Sequence, residues 1–203
     1  MATRFHLSRE DKEKMLAPVL RSFYYDGQLD LDALCKHLDL DVYNFDFKDT
    51  QASGAIVREP GDETWKIYVR TTDNSRRKRF TVAHEVGHFL SYKNGGRSRA
   101  YIDQHGSILD RAIMMRDGVA PMDDPQIWEM EMEANELAGE MLMPEADIRS
   151  YIEDGKSIEQ LADHFAVSES AVTVRLLNLG FQILEGRLPL EENTYAGDRI
   201  PTV

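Results

Sequence analysis

The sequence predicts a domain that mixes a short run of strands with long helices, followed by a smaller helical segment. Three observations carry that reading. Strand-like alternation is confined to residues 43–69. A helical run, RFTVAHEVGHFLSYK, then holds two histidines four positions apart. A second run, WEMEMEANELAGEML, carries five glutamates, four of them on a helical repeat.

The chain opens with Ser8-Arg9-Glu10-Asp11, a capping-box pattern ahead of Met15, Leu16, Val19, Leu20 and Phe23, so a helix is expected there and Asp26-Gly27 is expected to end it. A second short helix carries Leu31, Leu34, Cys35 and Leu38. Tyr43, Phe45 and Phe47 alternate with polar residues, Gly54 to Arg58 is short and apolar, and Trp65, Ile67 and Val69 alternate again. Glu59-Pro60-Gly61-Asp62 is a turn signal, which makes the last two strands a hairpin. The histidine helix follows and stops at Asn94-Gly95-Gly96. Residues 94–126 read as loops with one short helix near Ile108–Met115, and a long helix over about 126–143 is stopped by Pro144. The boundary between the larger domain, 1–150, and the helical segment and tail, 151–203, follows from that order.

Composition limits the class. The chain has 203 residues, 42% hydrophobic, enough for a real core in one compact domain or in one domain with a small appendage. No apolar stretch approaches the roughly 18 residues that span a bilayer. The N-terminus lacks the apolar core of a signal peptide, and the single cysteine, Cys35, has no partner for an internal disulfide, so a cytoplasmic location is expected. A net charge of −12 disfavours nonspecific nucleic-acid binding. The one dense basic cluster, Arg76-Arg77-Lys78-Arg79, is read as a solvated helix start rather than the border of a cleft.

His84-Glu85-Val86-Gly87-His88 is the most informative stretch. Positions four apart lie on one face of a helix, so His84 and His88 can point two imidazole nitrogens at a single ion. Glu85, one step round the helix, is close enough to act on a water but is not placed as a ligand. This is the pattern of a zinc hydrolase. A catalytic zinc takes a third protein ligand. Helical angles place Glu129, Glu133, Glu136 and Glu140 on one stripe opposite Met130, Ala134, Leu137, Ala138 and Met141, which leaves Glu131 as the glutamate turned inward. An inward carboxylate needs a partner, and a metal supplies one. Asn135 shares that flank and could hydrogen-bond a ligand histidine. His105 or Tyr101, in the loop region, could stabilise an oxyanion. His6, His37 and His164 have no ligand-like neighbours and are read as surface or packing residues.

The stretches RFTVAHEVGHFL and EMEANELAGEMLMP, with LDALCKHLDLDVYNF, SGAIVRE, WKIYV and Arg116-Asp117, resemble the ImmA/IrrE metallopeptidase family over roughly residues 28–181. The resemblance implies a zincin-like α+β domain with a small sheet beside two metal-bearing helices. It implies Zn2+ held by His84, His88 and Glu131, with Glu85 as general base. It further implies a protein substrate, a helix-turn-helix repressor whose cleavage switches on stress, phage or mobile-element genes. Two other functions compete: a zinc-containing regulator that binds its partner without cutting it, and a DNA-binding regulator.

The C-terminal segment bears on the last of these. Ser157 to Ala162 opens one helix, His164 to Val167 is a turn, and Ser168 to Val172 opens a second, in helix-turn-helix outline. The second helix offers only Arg175 as a basic side chain, and residues 145–203 carry 11 acidic and 5 basic residues, a net of −6. Direct DNA binding is therefore not expected, and packing on the peptidase core or docking a substrate is preferred.

Overall fold

The computed structural model describes residues 7–48, 52–58, 64–99 and 125–183. Helix α1 (Arg9–Phe23) starts on the expected capping box. Ser8 Oγ accepts from Asp11 N at 3.1 Å, and Asp11 Oδ2 accepts from Ser8 N at 3.1 Å. Asp26-Gly27 does not end this helix. The helix stops at Phe23, and Asp26 and Gly27, both at positive φ, form the turn of a two-stranded hairpin between β1 (Tyr24–Tyr25) and β2 (Gln28–Leu29). A DG pair flanked by strand formers is a hairpin turn as readily as a helix stop. Helix α2 (Leu31–His37) follows, capped by Asp30, whose Oδ1 accepts from Ala33 N at 2.9 Å. Cys35 is buried on it. Burial, helped by Asp32, pushes the thiol up to about 12, which keeps it protonated and unreactive.

The three expected strands form one sheet in the order β3-β5-β4. β4 (Gly54–Val57) and β5 (Trp65–Arg70) pair antiparallel, with Ile56 opposite Ile67. β3 (Leu40–Phe45) pairs parallel with β5 along its whole length. Period two sets the faces. Trp65, Ile67 and Val69 are buried, and the Trp65 ring lies 5.9 Å from Phe89 of the histidine helix. Tyr68 turns to the other face and packs on a cluster of Phe47, Ala52, Ala55 and Val57. Tyr43 and Phe45 join Tyr68 there, but stay 45% and 47% exposed. Their alternation marks a face without marking a core. Phe47 lies past the strand end and is buried.

Helix α3 (Ser75–Lys93) starts earlier than the apolar pattern suggests, because Asn74 caps it and accepts from Arg77 N at 2.9 Å. The basic cluster is therefore its first turn, and it is not merely solvated. Arg77 Nη2 donates to Ser53 Oγ at 2.7 Å, Lys78 to Asn44 Oδ1 at 2.9 Å and Arg79 to the Leu29 carbonyl at 2.8 Å. These bonds tie the helix start to β2, to β3 and to the residue before β4.

Helix α4 (Pro125–Leu142) packs along α3, and one glycine permits the close approach. A Cβ at Gly87 would lie 2.8 Å from the Ala134 carbonyl oxygen and 3.3 Å from its Cα. Both are backbone atoms that no rotamer change can move. Gly87→Ala is expected to force the helices apart and to cost about 1–3 kcal/mol in chemical unfolding. It should also weaken metal binding, since the same helix pair carries all three proposed ligands.

Contacts divide the chain into two units, Met1–Leu142 and Met143–Val203. In the second, α5 (Glu145–Glu153), α6 (Ile158–Phe165) and α7 (Glu169–Asn178) follow one another. α6 opens on a capping box of Ser157 and Gln160, and Ala166 in the left-handed region ends it, so the expected helix-turn-helix outline is present. Tyr151 Oη lies 2.8 Å from His164 Nε2, which makes His164 a packing residue, while His37 is exposed with its ring 5.2 Å from Phe23. His6 lies outside the described residues. Arg175, the one basic residue of α7, is buried, and its Nε donates to the Met143 carbonyl at 3.1 Å. Arg175→Ala should leave that carbonyl without its donor and destabilise this unit by about 1–3 kcal/mol, read by thermal unfolding.

Candidate metal centre

Helices α3 and α4 bring together the three residues that the sequence nominates as ligands. One ligand atom each from His84, His88 and Glu131 lies within 4.8 Å of the others. His84 Nε2 is 3.0 Å from His88 Nε2 and 3.1 Å from Glu131 Oε2, and His88 Nε2 is 3.1 Å from Glu131 Oε1. Ligands about 2 Å from a tetrahedral ion are spaced roughly 3.3 Å apart, so this donor set is close to the size that zinc requires. Two neutral imidazoles and a carboxylate also match its chemical preference.

The local sequence explains the arrangement. Residues 83–91 of α3 are buried without interruption, so both imidazoles are inside the fold, 3% and 1% exposed. Glu131 keeps 23% of its side chain exposed, which leaves one side of the cluster open. Burial works against ionisation of Glu131, but the charge of His88 and the hydrogen bonds from both imidazoles, when those rings are protonated, outweigh it and hold the carboxyl well below the usual carboxylate range. Glu85, next along α3, is buried at 1% exposure.

The outer nitrogens of both histidines are engaged. His84 Nδ1 lies 2.8 Å from Asn135 Oδ1, the contact that the shared flank of α4 suggests. His88 Nδ1 lies 3.1 Å from Ser98 Oγ. With Nδ1 protonated and donating, each Nε2 keeps its lone pair for an ion. Ser98 was not legible in the sequence. It lies past the Asn94-Gly95-Gly96 stop, in a helical stretch over 97–99 whose path back to α3 no periodicity reports.

One sequence expectation is overturned. Glu133 is not on a solvated stripe with Glu129, Glu136 and Glu140. It is 4% exposed, and its Oε1 accepts from Ser91 Oγ at 2.5 Å and from Arg97 N at 2.9 Å. The buried arc of α4 is wider than the apolar stripe, because the turn after α3 covers a second flank. Glu131 and Glu133 thus lie on opposite edges of one buried face. Glu129 pairs with Arg97, and Glu136 pairs with Lys12 of α1 at 2.5 Å. His105, Tyr101, the short helix near Ile108–Met115 and Arg116-Asp117 lie outside the described residues.

Comparison with known proteins fits this geometry. Residues 35–177 match the peptidase family described as the IrrE N-terminal-like domain. The chain belongs to that family. The IrrE-like match spans both metal-site helices and most of the three helices after them. A solved structure titled Mycobacterium tuberculosis transcriptional regulator shares the fold at a TM-score of 0.54 and 17% identity, over 88% of this chain and 48% of that one. This IrrE-like chain therefore spans about half the length of that relative. No curated protein sequence gives a significant match. Among the described residues, no helix is long and apolar enough to cross a membrane.

Proposed function

We infer that the chain is a zinc-dependent endopeptidase that cleaves a helix-turn-helix repressor and so derepresses stress, phage or mobile-element genes. The observation that carries the peptidase reading is the convergence of His84, His88 and Glu131 on one point beside a buried Glu85. Membership of a peptidase family supports it, and the repressor as substrate comes from the family resemblance alone.

In this reading His84, His88 and Glu131 hold the ion. Bound zinc would lower the pKa of water and polarise a peptide carbonyl. Glu85 takes the proton as water attacks the carbonyl carbon, and then delivers it to the leaving amine. Asn135 and Ser98 fix the ring orientations and tautomers of the two histidines. The partly exposed side of Glu131 is where a substrate chain approaches.

The C-terminal helices serve to pack or to dock a protein partner, and not to read DNA. The burial of Arg175 supports this, since the one basic head on α7 is turned to a backbone carbonyl. The test is co-incubation with a co-encoded repressor. Specific cleavage products that vanish with a chelator support the endopeptidase. Tight binding without products favours a regulator that sequesters its partner.

A further inference from the structure

The buried Glu133 is not used by the chemistry above, and a carboxyl held inside a fold calls for a reason. Its contacts lead back to the metal site. Glu133 Oε1 accepts from the Ser91 hydroxyl at 2.5 Å and from Arg97 N at 2.9 Å. Ser91 Oγ in turn accepts from Ser98 N at 3.1 Å, and Ser98 Oγ lies 3.1 Å from His88 Nδ1. Leu7 N, from the segment before α1, points at Glu133 Oε2 at 3.5 Å. Ser91, Ser98 and Glu133 are all buried. The turn that joins them has no room to relax. A Cβ at Gly96 would lie 2.5 Å from Ser91 Oγ, 2.6 Å from Glu133 Oε1 and 3.0 Å from Leu7 Cδ1.

We propose that Glu133 is a positioning residue for the metal ligand His88, acting through Ser91 and Ser98. The inference rests on the reading that His84, His88 and Glu131 hold the ion, and it adds a hydrogen-bonded support outside that set. The donors all run one way. An Nδ1–H of His88 donates to Ser98 Oγ, Ser98 N–H donates to Ser91 Oγ, and Ser91 O–H donates to the Glu133 carboxylate. A carboxylate can only accept, so it fixes the direction of the Ser91 hydroxyl. The Ser91 lone pair then holds the Ser98 backbone, which sets the Ser98 hydroxyl against the ring. α4 thereby supports both sides of the centre, with Asn135 behind His84 and Glu133 behind His88.

The test measures zinc affinity by chelator competition and the visible spectrum of the cobalt-loaded protein, for the unaltered chain, Ser98→Ala, Ser91→Ala, Glu133→Gln and the double variant Ser98→Ala/Glu133→Gln. Each single change should weaken zinc binding by about 10–100-fold and shift the cobalt bands. The double variant should bind no more weakly than the weaker single, because both act along one chain of contacts. Losses that multiply in the double variant would overturn the proposal. So would a Glu133→Gln protein that melts earlier but keeps the original cobalt spectrum and zinc affinity, which is what a purely structural carboxyl gives. Should Glu133→Gln fail to fold, Ser91→Ala, which cuts the same path with a milder change, decides. If the unaltered chain binds no zinc, the metal reading itself falls and this proposal with it. Zinc binding that ignores all four variants overturns the positioning role alone.

Discussion

Replacing Glu85 by glutamine is expected to leave zinc bound while slowing cleavage of the partner protein by about 100-fold to 10,000-fold. Gln keeps the size and the neutral hydrogen-bonding capacity of the side chain but cannot take a proton from water. Glu85 lies outside the triangle of His84, His88 and Glu131, so the ion has no need of it. Equal amounts of wild-type and variant protein, matched for zinc content, should therefore differ in turnover and not in metal. Loss of zinc in the variant would show that Glu85 is a ligand, and undiminished cleavage would remove it from the chemistry.

The second large effect separates two glutamates that are two residues apart. Glu131→Ala is expected to weaken metal binding well beyond the roughly 10–100-fold that follows loss of a group behind a ligand. It takes away one of the three proposed ligands and leaves two imidazoles facing a gap. Glu133→Ala should show a different signature. Its first consequence is on folding, because Ser91 Oγ and Arg97 N lose the acceptor they share. Buried donors left unsatisfied cost about 1–3 kcal/mol each, so the unfolding midpoint should fall clearly in the metal-free protein. Its effect on zinc should stay within the smaller range. Chelator competition and denaturant unfolding on the two variants give both numbers. Similar zinc affinities for the two would refute the assignment of Glu131.

Much of the fold is visible in local pattern. Capping boxes at Ser8 and Ser157 mark helix starts, and alternation in Trp65, Ile67 and Val69 marks the central strand. The parallel pairing of β3 with β5 is not visible, since parallel partners are set by a crossover and not by a turn. In the site, the four-residue spacing of His84 and His88 is local helix geometry and is legible directly. Glu131 emerges from helical angles because its flank borders the apolar stripe. The same angles misplace Glu133, because they describe one helix and not what packs on its second flank. Ser98 and Ser91 escape for a related reason. Their roles exist only once the chain bends at Gly96 and brings Ser98 back against Ser91 of α3, and the periodicity of neither stretch reports that path.

The most direct measurement is the zinc content of the purified chain by elemental mass spectrometry, beside Glu131→Ala. Zinc bound in equal amount to protein, and lost in the variant, is the expected result. No bound metal even after zinc is added, or the same content in Glu131→Ala, would contradict a metal centre built on His84, His88 and Glu131.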